Sequence, residues 1–457
     1  MGDVPGVAQR TTPEEGAAGA AALGAFAKNF LPVLFNACAE TAAPAARAPL
    51  LATIGEYALV TDGKQLSGFF QNVIKKLLAA AAEGGEDGMA DSAEEVEGRK
   101  TLMMELALAL MPALDDASAE FLFKVTVPFL VDESGAVQKR AYKTLQALGV
   151  QHTALMQARL PEVQEHLVGG LADLAPAAGK WRVRCVAKLV EHLPFDVAYM
   201  RLIGAVLGEV ILGTKSAARK TRECAFSVLV CMAQKIDAGS AGQQLGDFFS
   251  MLLAGLAGTT PHMVSATVLA LSRLVYEYAE RVGVLAPALL SSVMLLFEHK
   301  SREIVTSALG FAKVAAVSLS PDLLREHLHP VIEKLLLWSG DSRNRFRLKV
   351  KVILERLIRR ISYDEVLEAT PEEHRKFILA IQKRLKRAKA LKGRARAAGG
   401  AEDGEEGAEG AEGGKYRIKG GYEQALYGEE DEEEEDEDEA MGDAAAAAAA
   451  RGGGHAG

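Results

Sequence analysis

Aromatic residues are scarce in this sequence, 6% of 457 positions, although 49% are hydrophobic. A β-sandwich core wants aromatic and β-branched side chains, so apolar content carried by Leu, Ala and Val points to packed helices. No segment alternates convincingly between apolar and polar residues as a half-buried strand would. Cysteine is also rare. Cys38, Cys185, Cys224 and Cys231 form no C-x-x-C pair and join no tight His/Cys cluster. The simple reading is a reducing compartment in which the thiols act as small apolar side chains. No cleavable secretory signal is expected, because the weakly hydrophobic Ala/Gly run at 16–27 lacks a basic leader and ends at Lys28. A long uncharged stretch does exist, Phe248 to Ser272, but Gly255, Gly258, Thr259, Thr260 and Pro261 interrupt it. Two short helices joined by a turn account for it better than a membrane span, and no membrane partner is expected.

What is present is helical periodicity. From about Ala25 nearly every segment carries apolar residues at i, i+3, i+4 and i+7, separated by short breaks rich in Gly, Pro, Asp or Ser. Six triplets of apolar or small residues spaced four apart recur along the chain. They are Val137/Ala141/Leu145, Trp181/Cys185/Leu189, Thr221/Ala225/Leu229, Met263/Thr267/Leu271, Ile304/Ala308/Ala312 and Phe346/Val350/Leu354. Their middle members advance by 44, 40, 42, 41 and 42 residues. Two helices and their turns fill that length, which is the HEAT/armadillo period. Weaker copies lie at Leu50/Ile54/Ala58 and Lys100/Met104/Leu108. The expected fold is therefore all-α: a right-handed HEAT/armadillo-like α-solenoid over 25–392, with each helix pair burying its stripe against the next. Residues 1–24 are expected to be disordered and 83–98 to form a flexible loop. Residues 393–457, Gly/Ala-rich and acidic, are expected to form a disordered tail.

The net charge of -9 conceals a separation. Residues 343–396 hold 18 Lys/Arg against 6 Asp/Glu, whereas 397–457 hold 4 against 19, including eleven consecutive acids at 429–439. A basic surface beside an acidic tail implies a polyanionic partner or an intramolecular clamp. Within the basic region, Arg343, Arg345, Arg347, Lys349, Lys351, Arg356, Arg359 and Arg360 interleave with Phe346, Leu348, Val350, Val352, Ile353, Leu357, Ile358 and Ile361. With only Glu355 offsetting eight cations, the apolar set is expected to face the core and the basic set to reach RNA phosphates. A second block, Lys383, Arg384, Lys386, Arg387, Lys389, Lys392, Arg394 and Arg396, suits RNA or a nuclear localisation signal. Few aromatics are interleaved, so base stacking and sequence readout should be weak.

Chemistry is otherwise absent from the motifs. Gly208–Lys215 approaches a phosphate loop, but Thr214 separates Gly213 from Lys215, and the segment reads as a helix end. His327 and His329 stand two apart and do not share a helix face. His192, His262 and His299 sit near helix ends, and Asp62, Asp115 and Asp116 read as turn or cap residues. No catalytic, cofactor or metal residue is assigned, and neither an enzyme nor a small-molecule substrate is expected.

Several strings carry a family likeness. They are Ala27–Asn36 (AKNFLPVLFN), Val137–Leu145 (VQKRAYKTL), Glu209–Lys215 (EVILGTK), Gly258–Leu271 (GTTPHMVSATVLAL), Ser307–Val314 (SALGFAKV), Phe346–Lys349 (FRLK) and Pro371–His374 (PEEH). In this order the chain resembles the ribosomal RNA processing protein 12-like family, matching its C-terminal half. The resemblance implies a karyopherin-like HEAT-repeat protein of the nucleus and nucleolus, with ties to the Ran GTPase and nuclear transport. As partners it implies pre-rRNA, pre-ribosomal particles, and assembly-factor or transport proteins. The function implied is a ribosome-biogenesis scaffold supporting rRNA processing and subunit export. A nuclear transport receptor or adaptor without direct RNA contact is the second reading.

Overall fold

Helix starts along this chain are written in side chains that satisfy the first free backbone N–H groups. Ser92 and Glu95 form a reciprocal capping box, and Asp115, Ser134, Thr260, Ser320 and Ser362 accept from backbone N–H groups at the starts of later helices. Asp62 accepts from the N–H groups of Lys64 and Gln65, the turn role expected for it. The computed structural model describes residues 12–41, 43–82, 92–169, 174–240, 244–340, 346–397 and 421–427. It divides into two compact units, Met1–Val206 and Leu207–Gly457.

The first unit contains α1 (Pro13–Ala25), α2 (Ala27–Glu40), α3 (Pro44–Leu59), α4 (Gly63–Ala82), α5 (Ala93–Leu110), α6 (Asp116–Thr126), α7 (Gly135–Gln151), α8 (Thr153–Ala158), α9 (Leu160–Gly169) and α10 (Gly179–His192). Helix α3 packs on α5, α5 on α7, and α7 on α10; the partner helices α2 and α4 lie against α3 and α5. The division between units falls within α11 (Val197–Gly213).

The second unit contains α12 (Arg219–Gly239), α13 (Leu245–Ala254), α14 (Pro261–Glu277), α15 (Ala286–Leu295), α16 (Arg302–Ser318), α17 (Pro321–Glu326), α18 (Leu328–Leu336), α19 (Phe346–Arg360), α20 (Tyr363–Glu368), α21 (Arg375–Ala397) and α22 (Gly421–Tyr427). Here α12 packs on α14, α14 on α16, α16 on α19, and α19 on α21, while α15 meets α18 in the partner row. Among the described residues there is no strand.

The spaced triplets explain the stacking. Their middle members Ala141, Cys185, Ala225, Thr267, Ala308 and Val350 are all buried, one on each of α7, α10, α12, α14, α16 and α19. A small or β-branched side chain at that point lets the neighbouring helix approach closely. Of these helices, α7 with α10, and α12, α14, α16 and α19 in succession, are the ones that pack within each unit.

Three expectations about order need correction. Residues 13–25 are not disordered but form α1, begun by a capping box between Thr12 and Glu15. The flexible loop assigned to 83–98 is overrun from Ser92, where α5 begins; 83–91 lie outside the described residues. In the tail assigned to 393–457, α21 continues to Ala397, and Gly421–Tyr427 forms a seven-residue helix packed on α16. Residues 1–11, 398–420 and 428–457 lie outside the described residues.

The uncharged stretch from Phe248 to Ser272 is divided between α13 and α14, with Gly255–Ala257 as a 3-10 turn between them. No single helix among the described residues is long and apolar enough to cross a membrane; α1 and α2 approach that only as a pair bent by 70°.

Candidate nucleic-acid interface

Helix α19 was expected to show one apolar and one basic face. Instead it is enclosed over most of its girth: residues 352–358 are all buried, charged members included. It touches α16, α18, α20 and α21, which leaves little of its circumference for solvent. The eight cations of the first block consequently part company. Arg347 and Arg359 are exposed, whereas Lys349, Lys351 and Arg360 are half-buried. Arg343 and Arg345 lie outside the described residues.

Arg356 corrects the surface expectation outright. It is 5% exposed, and its Nη1 donates to the carbonyls of Lys313 (3.1 Å) and Ala425 (2.5 Å). A guanidinium spent on interior carbonyls cannot present its charge to a phosphate. Arg360 also turns inward, donating from Nη2 to the Leu319 carbonyl at 3.2 Å. Burial holds the Lys349 amine below the ordinary lysine range.

The exposed cations converge with the second block because α21 packs on α19. Lys383, Arg384, Lys386, Arg387 and Lys389 are all exposed on α21. The helix carries Lys392, Arg394 and Arg396 too, but their side chains lie outside the described residues. Glu355, buried on α19, has Arg359 at 3.8 Å and Arg384 at 3.5 Å, so one carboxylate lies between cations of both helices. The Arg347 guanidinium lies 5.6 Å from the centre of the Phe377 ring, a second link between them. The structure thus brings Arg347, Arg359 and the five exposed cations of the second block onto adjoining helices.

The short helix α22 was missed in the sequence. Tyr422 is 4% exposed, meets the rings of Phe226 (5.4 Å) and Tyr276 (5.8 Å), and donates its hydroxyl to the Leu269 carbonyl. The Arg273 guanidinium covers that ring at 4.9 Å. Leu426 packs over Gly310, where an added Cβ would come within 2.8 Å of its Cδ1. At its other end, the Leu426 carbonyl accepts from buried Lys313 at 3.3 Å. Gly421 opens the helix at φ +72°, a conformation glycine adopts freely. The available signal was the i, i+4 pair Tyr422 and Leu426 in a largely polar tail.

The other motifs fall where helix ends require. Gly213 closes α11, and Lys215 beyond it bonds the Ser265 hydroxyl at 2.8 Å and pairs with Glu303, so the near-phosphate loop is a helix terminus. His327 is the residue between α17 and α18, and His329 lies in the first turn of α18. No group of three or more His, Cys, Asp or Glu able to hold a metal ion occurs among the described residues.

Paired helices whose inner members carry the repeat define an all-α HEAT/armadillo-like solenoid of the kind found in karyopherins. The chain is similar to Kap95p in its structure with RanGDP, with a TM-score of 0.54 at 12% identity, over 77% of this chain and 44% of that one. Importin beta gives a TM-score of 0.51 at 14% identity, over 76% and 44%. No protein-family model matches the chain.

Relationship by sequence is more particular. Ribosomal RNA-processing protein 12 of Saccharomyces cerevisiae is 31% identical over 383 residues, 79% of this chain and 31% of its own length. The RRP12-like protein of Homo sapiens is 30% identical over 375 residues, 80% of this chain and 28% of its own. Over this matched segment the chain belongs to the ribosomal RNA-processing protein 12-like family, and it spans about a third of the length of these relatives.

Proposed function

We propose that this chain is a non-catalytic ribosome-biogenesis scaffold. It associates with pre-ribosomal particles in the nucleus and nucleolus, supporting rRNA processing and subunit export. The observation that carries the reading is sequence identity of 30–31%, over about four-fifths of the chain, to proteins named for ribosomal RNA processing. Helices α19 and α21 supply the RNA contact through Arg347, Arg359, Lys383, Arg384, Lys386, Arg387 and Lys389, with Arg343, Arg345, Lys392, Arg394 and Arg396 beside them in sequence. These contacts would be to phosphates: each one displaces counterions and adds roughly 0.7 to the salt slope for single-stranded RNA. The transport-receptor reading draws only on a fold likeness at 12–14% identity, which does not extend to partners.

Sedimentation of the tagged protein from nuclear extract, probed for pre-rRNA, tests the proposal. Co-migration with large RNase-sensitive particles is the expected result. Migration as a small free species, indifferent to RNase, refutes it.

A further inference from the structure

A second concentration of positive charge lies in the first unit, far in sequence from the basic helices. Lys139 and Lys143 are one helical turn apart on α7, and Lys180 and Arg184 are one turn apart on α10, the helix that packs against it. Trp181 stands among them. Arg184 lies 4.5 Å from the centre of its ring, Lys180 at 5.5 Å and Lys143 at 5.8 Å. The indole holds these cations by the attraction of its ring face and so keeps like charges close. Its own Nε1 has no acceptor among the described residues.

The preceding rung of the same stack shows what a balanced arrangement looks like. There Glu105 on α5 receives Arg140 of α7 at 2.7 Å and Arg47 of α3 at 3.1 Å. Nothing comparable follows one helix later: Lys139, Lys143, Lys180 and Arg184 form no ion pair among the described residues. The crowding is felt, since burial and then the charges of Arg140, Lys180 and Lys143 hold the Lys139 amine below its ordinary value against the smaller opposing pull of Glu105.

We infer that the Lys139/Lys143/Lys180/Arg184 plate around Trp181 is a second binding site for the phosphate backbone of single-stranded RNA. The inference rests on the proposed function for the choice of an RNA partner. The geometry favours a line of charge over a point. Cations one turn apart are separated by roughly 5–6 Å along a helix, and packed helices lie about 8–10 Å apart. Cations spread over a plate of those dimensions face a run of charge, such as successive phosphates of one strand offer, whereas a single small anion would need donors converging on one place. Trp181 serves as the plate that positions the cations.

The chain has two tryptophans, which makes the site directly readable. In the Trp338→Phe chain, Trp181 is the sole source of indole emission. A labelled single-stranded oligoribonucleotide is titrated into this protein while label anisotropy and Trp181 emission are recorded together. The same titration with both tryptophans present gives the change on a constant Trp338 background, should the substitution disturb folding. Expected is a saturable emission change with the midpoint of the anisotropy curve. Lys143→Glu with Arg184→Glu should abolish it and lower the salt slope by about 1.4, two contacts at about 0.7 each. Anisotropy showing binding while Trp181 emission stays flat, and the double variant keeps the slope, overturns this site and leaves the α19/α21 interface standing. Absence of any anisotropy change refutes both. Emission that answers poly-glutamate but not RNA also overturns the inference and makes the site one for an acidic protein.

Discussion

Replacing Arg356 by alanine separates the interior cations of α19 from its surface ones. Arg356 donates to two carbonyls, of Lys313 in α16 and Ala425 in α22, inside a region where it is 5% exposed. Hydrogen bonds from a charged donor are worth about 1.5–3 kcal/mol each, and breaking buried charged contacts costs about 3–5 kcal/mol in total. For a folding unit of this size, each kcal/mol lowers the midpoint by roughly 2–4 °C. Arg356→Ala should therefore melt roughly 6–20 °C below the parent, and the amides of 421–427 should lose protection from hydrogen exchange. Its RNA salt slope, measured well below the melt, should not move. Arg359→Ala is the control, because Arg359 is exposed and 3.8 Å from Glu355. Glu355 is buried but keeps Arg384 at 3.5 Å, so losing this one partner should lower stability less than Arg356→Ala does, while the salt slope falls by about 0.7. The reasoning is refuted if Arg356→Ala melts with the parent and binds RNA with a reduced slope.

Three further outcomes follow from particular contacts. Gly310→Val should weaken the seating of α22, since its Cβ would meet the tip of Leu426 at 2.8 Å and its two methyls would crowd that buried side chain further; hydrogen exchange at 421–427 should rise while α16 stays protected. Tyr278 is pushed up to about 12, chiefly by burial and then by Asp237. The unfolded chain gives up that proton near the ordinary value of 10 and the folded chain retains it, so this residue's contribution to stability falls as pH rises from 10 towards 12. Absorbance titration of the phenolate, against a Tyr278→Phe chain, checks it. For Lys349, burial depresses the folded value, so the unfolded state binds more protons below the ordinary lysine value of 10.5 and stability gains as pH rises into that window. Lys349→Met should remove that gain, as denaturant midpoints at pH 7 and pH 10 would show.

The repeat was legible because its signal is steric and local. Buried small residues at intervals of 40–44 mark where one inner helix meets the next, and each triplet lies on a helix of that row. The basic helices were legible as charge but not as surface. Interleaved Lys/Arg and apolar residues show that α19 carries both charge and core material; they do not show how many neighbours enclose it, and that number decides whether Arg356 meets water or a carbonyl. Composition misled at both ends. The Gly/Ala-rich start hides a capping box at Thr12 and Glu15, and the acidic tail hides Tyr422 and Leu426. In each case two well-placed residues outweigh an average taken over dozens. The plate around Trp181 was invisible as a site because its members on α7 and α10 are 37–45 residues apart, and only the stacking of α7 on α10 joins Lys139 to Arg184.

A stack of helix pairs behaves like a one-dimensional chain of neighbours, each repeat answering only to the next, so it can fray from an end one repeat at a time. Helix α22 breaks that rule. Through Phe226, Leu269, Tyr276, Lys313 and Arg356 it touches α12, α14, α16 and α19 together, and its Tyr422 bond to Leu269 spans 153 positions. Seven residues thereby give four successive repeats a common fate: opening any one of them loosens the helix that steadies the rest. The second unit should unfold as a single cooperative block, with this stitch forming late, after the repeats that receive it are in place.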